Sequence, residues 1–155
     1  MEFVIDDMKP EDAEEMAWVG RLHMDNVLQQ LERRGRGETD YLVARDAGGE
    51  PVAKGGVDYI AHEGAGTIWQ MATREDVQSR GLGRALVAEL EARITARGLG
   101  HAVIGVETVN PRAEALYRRL GYGDWSSEES GWDQEDEDGN VYRYETTCLL
   151  LRKSL

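Results

Sequence analysis

The chain has 155 residues, 41% of them hydrophobic, with four Trp and six Tyr, which suits one globular domain (1–155) with a real core rather than a disordered segment. Its net charge of −12 argues against nucleic acid or an anionic membrane as the main partner. The lone cysteine, Cys148, excludes an internal disulfide and fits a reducing compartment.

The opening Met-Glu-Phe-Val-Ile-Asp-Asp lacks the basic start and apolar run of a signal peptide. No stretch approaches the roughly 20 apolar residues needed to span a bilayer. A soluble cytoplasmic protein, monomer or homodimer, is the expectation. Phe3–Ile5 reads as a short strand. Pro10 then starts a helix, with Glu11, Asp12, Glu14 and Glu15 where acids suit the helix dipole and Met16, Val19 and Leu22 at apolar spacing. A second helix covers about Asn26–Arg34 and stops at Gly35-Arg36-Gly37. Tyr41–Arg45 and Val52–Ile60 flank Ala47-Gly48-Gly49-Glu50, a hairpin signal. Thr67–Thr73 is the next strand. Leu82, Leu86, Leu90 and Ile94 recur at helical spacing up to Gly98. Ala102–Val106 is a buried strand by composition. Pro111–Leu120 is a helix with Pro111 in its first turn and Gly121 at its end, and Tyr142–Leu151 is the last strand.

Between the Thr67–Thr73 strand and the Leu82 helix lies Gln78-Ser79-Arg80-Gly81-Leu82-Gly83-Arg84. A glycine-rich turn there leaves backbone N–H groups unpaired at the positive end of the helix dipole, a site for phosphate or pyrophosphate. Gly81 and Gly83 let the backbone approach the ligand, and Arg80 and Arg84 add positive charge. A P-loop would need Gly-x-x-x-x-Gly-Lys-Ser/Thr, which does not occur, and the dinucleotide fingerprint would need glycine where Leu86 stands. His23, His62, His101 and Cys148 are scattered without ligand spacing, so no metal is expected.

Gln78-Ser79-Arg80-Gly81-Leu82-Gly83 resembles the Gln/Arg-x-x-Gly-x-Gly/Ala signature of the GNAT-type N-acetyltransferases. One helix and one strand later, Asn110-Pro111-Arg112-Ala113-Glu114-Ala115-Leu116-Tyr117-Arg118-Arg119-Leu120-Gly121-Tyr122 is similar to that family's Asn-x-x-Ala-x-x-Leu-Tyr-x-x-x-Gly-Phe/Tyr block. The resemblance covers roughly Tyr41–Tyr122. It implies an α/β fold: a central twisted, mixed and mostly antiparallel sheet of about six to seven strands, flanked by about four helices and splayed where acetyl-CoA binds.

It also implies direct acetyl transfer from acetyl-CoA to a primary amine of a small molecule or peptide, the alternative being a non-catalytic acyl-CoA-sensing module. Gln78, Arg80, Gly81, Leu82, Gly83 and Arg84 would hold the pyrophosphate. The backbone of Met71, Ala72 and Thr73 would pair with the pantetheine arm and supply an oxyanion donor. Asn110 would cap its helix or bind the cofactor. Tyr117 occupies the tyrosine position near the thioester sulfur, as proton donor to the leaving thiolate or as a packed core tyrosine. The strand before the turn offers Thr67 and Gln70, neither of them a base, so Glu107 is the first candidate base, ahead of His62, Glu63 or a water chain. Cys148 reads as a small buried hydrophobe.

The acceptor site is expected in the variable parts, about Trp18–Gln30 and the Trp125–Asn140 loop, with Trp18, Trp125 and Trp132 as walls and Trp69 in the core. From Asp124 to Glu145 there are nine acids and one base, which suits a cationic acceptor (a polyamine, an aminoglycoside or a lysine-containing peptide) or a merely solvated loop. Gln134, Asp136, Asp138, Gly139 and Glu145 fall at EF-hand spacing, but a hairpin at Asp138-Gly139-Asn140 explains the glycine more simply.

Overall fold

The computed structural model describes all residues from Met1 to Leu155. Seven strands form one sheet in the order β1-β2-β3-β4-β5-β7-β6. These are β1 (Phe3–Asp7), β2 (Thr39–Asp46), β3 (Pro51–Asp58), β4 (Ala65–Thr73), β5 (His101–Glu107), β6 (Gly123–Glu135) and β7 (Val141–Ser154). Every neighbouring pair is antiparallel except β4 with β5. That parallel pair is joined by a crossover through α3 (Leu82–Ala96). The mixed, mostly antiparallel sheet is the one the resemblance implied.

Strand β2 shows why both faces are covered. Leu42 and Ala44 join the larger core with Leu82, Leu86, Leu90 and Ile94 of α3. The alternate residues Tyr41 and Val43 point the other way, into a cluster with Met8, Ala13, Met16 and Val27. That second cluster is roofed by α1 (Pro10–Glu14), a 3-10 turn (Ala17–Val19) and α2 (Arg21–Gly35). The apolar positions of the first helical region are therefore used as expected, but not on one helix. Gly20 takes φ 85°, which ends the 3-10 turn and lets α2 restart at Arg21, several residues before Asn26.

The larger departure is β6. The sequence reads 125–140 as an acidic loop, yet Gly123–Glu135 is a strand paired with β7 from Gly123↔Arg152 to Glu135↔Val141. Its Ser, Glu, Asp and Gly content is poor in intrinsic strand formers, and its partner strand supplies the order. The turn closes at Asp136, whose Oδ1 accepts the N–H groups of Asp138 (2.9 Å) and Asn140 (2.8 Å). Glu135 reaches back so that its Oε1 accepts the Leu22 N–H at the start of α2, 2.9 Å away. No helix is long and apolar enough to cross a membrane.

Candidate active site

Strands β4 and β5 pair only as far as Ile68↔Ile104. Beyond that, β4 carries on along β3 (Lys54↔Ala72, Ala53↔Thr73) and β5 along β7 (Glu107↔Cys148). Trp69–Thr73 and Gly105–Glu107 thus flank an opening in the sheet. A bulge marks where it begins. The register shifts between Lys54 and Gly56, and Gln70 sits at φ 56°, a left-handed conformation rare for a side-chain-bearing residue. The opening is a cleft of about 1730 Å³. Trp18 and His23 of the helical region and Trp132 of β6 border it.

At one end of the cleft lies the glycine turn. Gly81 has φ 85° and α3 begins at Leu82 with no side-chain cap; the first helical bond is Ala85 N–H to Gly81 O, at 3.0 Å. The N–H groups of Ser79 through Arg84 meet no acceptor in the chain. Arg80 and Arg84 are exposed beside them, and Arg112 of the next helix bonds the Ser79 hydroxyl. Consecutive free donors at a helix start, with cations around them, fit a pyrophosphate. The open edge of β4 fits an amide-bearing arm. Arg74 N–H donates to Val52 O at 2.9 Å, so by strand alternation Met71 and Thr73, unlike Ala72, turn their N–H groups to the open side.

Tyr117 lies on α4 (Pro111–Arg119), packed against the core and edge-on to Tyr122, with ring centroids 6.5 Å apart. Its hydroxyl has no hydrogen-bond partner in the chain, and burial raises its pKa, so it keeps its proton at neutrality. Asn110 caps α4: its Oδ1 accepts the Ala113 N–H at 3.2 Å, leaving the side-chain amide free on the cleft wall. Glu107, on the β5 wall, has Oε1 buried with no partner. An unspent carboxylate oxygen in a cleft is what a base needs. Cys148 lines the same wall, but burial pushes its pKa up, so it is a thiol and not a nucleophile.

The structure also brings in residues that the sequence reading did not assign. Lys54, central in β3 and 3% exposed, donates from Nζ to Tyr41 Oη (2.7 Å) and to Gln70 O (2.8 Å). Tyr41 in turn donates to Gln70 Oε1 at 2.8 Å. Lys54, Gln70 and His23 all line the cleft. Burial lowers the pKa of Lys54 to about 8 and, with help from Lys54, lowers that of His23. A lysine within the apolar run Val52–Val57 is the signal that could have singled it out. Among the tryptophans, Trp18 and Trp132 line the cleft as expected. Trp125 does not: it packs on His62 and under Arg152. Trp69 packs against the second core cluster and also borders the cleft.

A family model described as "Acetyltransferase (GNAT) family" matches residues 4–122. The mycothiol acetyltransferase of Streptomyces avermitilis is 33% identical over 82 residues, 53% of this chain and 26% of that protein. The chain thus spans about a quarter of the length of this curated relative. Among solved structures, a phosphinothricin acetyltransferase of Sinorhizobium meliloti in complex with AcCoA superposes with a TM-score of 0.78 at 16% identity, covering 100% of this chain and 89% of that one. The ribosomal-protein-alanine N-acetyltransferase of Brucella melitensis gives 0.73 at 20% identity, covering 98% and 99%. At such identities the likeness is one of fold.

Proposed function

The chain belongs to the GNAT acetyltransferase family, and from that premise we propose that it transfers the acetyl group of acetyl-CoA directly to the primary amine of a small-molecule or peptide acceptor. The observation that carries this reading is that the open edge of Met71–Thr73, Tyr117 and the unpartnered Oε1 of Glu107 line one cleft, and that the six free N–H groups of Ser79–Arg84 follow directly on Gln78 of its lining. The cofactor, when bound, supplies an acyl thioester. The N–H groups of Ser79–Arg84 hold its pyrophosphate, with Gln78 and the arginine side chains beside them, and Asn110 offers its free amide.

The acceptor arrives as an ammonium, with a pKa of about 10.4, and must lose a proton before it can attack. Glu107 accepts that proton, and Glu128 and Glu129, which also line the cleft, favour the cation's entry. The Met71 N–H donates to the carbonyl oxygen as negative charge builds there. A C–N bond forms and the C–S bond breaks. Tyr117, protonated at neutrality, gives its proton to the departing sulfur, the second proton shed by the acylated nitrogen restores the phenol, and Glu107 releases the first to solvent. Cys148, held as a thiol, takes no part, which favours direct transfer over an acyl-enzyme. We place this activity in one domain spanning the 155 residues, in the reducing cytoplasm that a single cysteine suits.

The test is a thermal shift with CoA followed by turnover of acetyl-CoA over an amine library, with products read by mass spectrometry. Stabilisation by CoA and acetylation of at least one amine are expected. No stabilisation at ligand excess refutes the reading. Stabilisation without transfer, unaltered by Tyr117→Phe, would identify a CoA sensor instead.

A further inference from the structure

The acceptor side of the cleft holds a cation with no counter-ion. Lys54 takes part in none of the chain's ion pairs. A buried ammonium is costly unless its charge and its donors are matched. Two of its three donors are used, on Tyr41 Oη and Gln70 O, both neutral acceptors. The third is unspent, and the side chain lines the cleft.

Gln70 adds a second group of the same kind. Because Lys54 donates to Tyr41 Oη, the phenol proton is directed to Gln70 Oε1. Burial keeps that phenol protonated, so the direction of this bond is fixed. The Gln70 amide nitrogen is then left with two protons and no partner in the chain, on a residue lining the same cleft. Its backbone is held at φ 56°, a strained conformation for a residue with a side chain. The bonds from Lys54 to its carbonyl and from Tyr41 to its side chain tie it there. Strain maintained in order to present an amide beside an uncompensated ammonium points to a ligand with acceptor oxygens.

We propose that Lys54 and Gln70 form the recognition site for a carboxylate on the acceptor, so that the substrate is an amino-acid-like amine. The assignment rests on the acetyl-transfer reading above. The two oxygens of one carboxylate match the Lys54 ammonium and the Gln70 amide, a charge-assisted pair. Glu107, on the β5 wall across the splay, takes the amine end. Around the splay the cleft is thereby polarised, with Lys54 and Gln70 on the β3–β4 side and Glu107, Glu128 and Glu129 on the β5–β6 side; Glu75 and Asp76 lie past the end of β4. A zwitterion fits that arrangement in one orientation, with its amine toward the thioester. A simple alkylamine or polyamine leaves Lys54 buried and unpaired.

The experiment uses the purified full chain, acetyl-CoA and amines in matched sets: 2-amino acids and ω-amino acids, each beside its carboxamide and its decarboxylated amine. Within the sets acetylated, the carboxylate member is expected to exceed the others in kcat/KM by roughly 10- to 100-fold. Lys54→Met should erase that preference while CoA still raises its melting temperature. A second measurement needs no turnover: N-acetyl amino acids and N-acetyl carboxamides are titrated into the CoA-saturated protein by calorimetry. The carboxylates should bind more tightly to the wild type and lose that advantage in Lys54→Met. Equal use and equal binding of carboxylate and carboxamide, no binding of any carboxylate, or a preference that survives Lys54→Met overturns the proposal. Amine acetylation without carboxylate preference removes this inference alone; failure of CoA to bind removes the transfer reading itself.

Discussion

Replacing Lys54 by Met should make the protein more stable at neutral pH and less stable at high pH. Burial lowers the Lys54 pKa from 10.5 to about 8. Below pH 8 both folded and unfolded chains hold the proton, and the folded state carries the whole cost of the buried charge. That cost is about 3 kcal/mol for a pKa lowered from 10.5 to about 8. Between pH 8 and 10.5 only the unfolded chain holds the proton, so wild-type stability rises with pH. Above 10.5 the cost is gone. Methionine has nearly the same length and no charge, but it gives up the bonds to Tyr41 Oη and Gln70 O, at about 1 kcal/mol each. The variant should therefore gain about 1 kcal/mol at pH 7 and lose about 2 kcal/mol once Lys54 is neutral, with the curves crossing near pH ~9. Urea unfolding of both proteins at pH 7, 8, 9 and 10 measures the difference, in which all other titrations cancel. A difference that stays constant with pH would refute the account, because Lys54 would then titrate alike in both states.

Three further outcomes test the cofactor and proton-transfer groups. A Cβ on Gly83 would meet only Leu116 Cδ2, at 3.8 Å, so the fold does not require glycine there. Gly83→Ala should hold or raise urea stability by up to ~1 kcal/mol, yet weaken CoA binding in calorimetry if the backbone approaches the pyrophosphate. Tyr117→Phe removes a hydroxyl with no partner in the chain, so stability should change by less than about 1 kcal/mol. Its kcat should fall about 100-fold, with little change in KM for acetyl-CoA, in steady-state assays. Glu107→Gln should lower kcat by a similar factor, about 100-fold. The buried Oε1 has no partner, so its stability should hold or rise, and a matched loss of stability would instead mark Glu107 as structural.

Much of the architecture was legible because it is written in short-range patterns. The α3 repeat, the β2–β3 hairpin and the glycine turn each need only a few neighbouring residues to specify them. The cofactor half of the site was legible for the same reason: its donors are consecutive in sequence. The acceptor half was not. Tyr41, Lys54 and Gln70 come from three strands, and only the lateral order β2-β3-β4 brings them together. Strand β6 escaped because its own residues favour neither strand nor core; it is ordered by β7 and by the Glu135 contact with α2. Seen as a strand, it brings Glu128 and Glu129 to the cleft lining, while most of its acids remain exposed to solvent.

The bulge at Gln70 links the two halves. Ala65 to Ile68 pair with β5, and Thr67 and Ile68 pair with β3 as well, so β4 is held on both sides there. The register shift then places Gln70 and Met71 together opposite Gly55. This extra residue frees the Gln70 carbonyl and amide for Lys54 and Tyr41, and it resets the alternation so that Met71 and Thr73 present their N–H groups to the opening. Without it, the remaining strand would reverse the face of every group beyond Trp69. The Met71 donor would then turn toward β3, and the Lys54 network would lose its acceptor. Acceptor recognition and oxyanion stabilisation thus depend on one local backbone feature, and the strained φ of Gln70 is the cost of having both on a single strand.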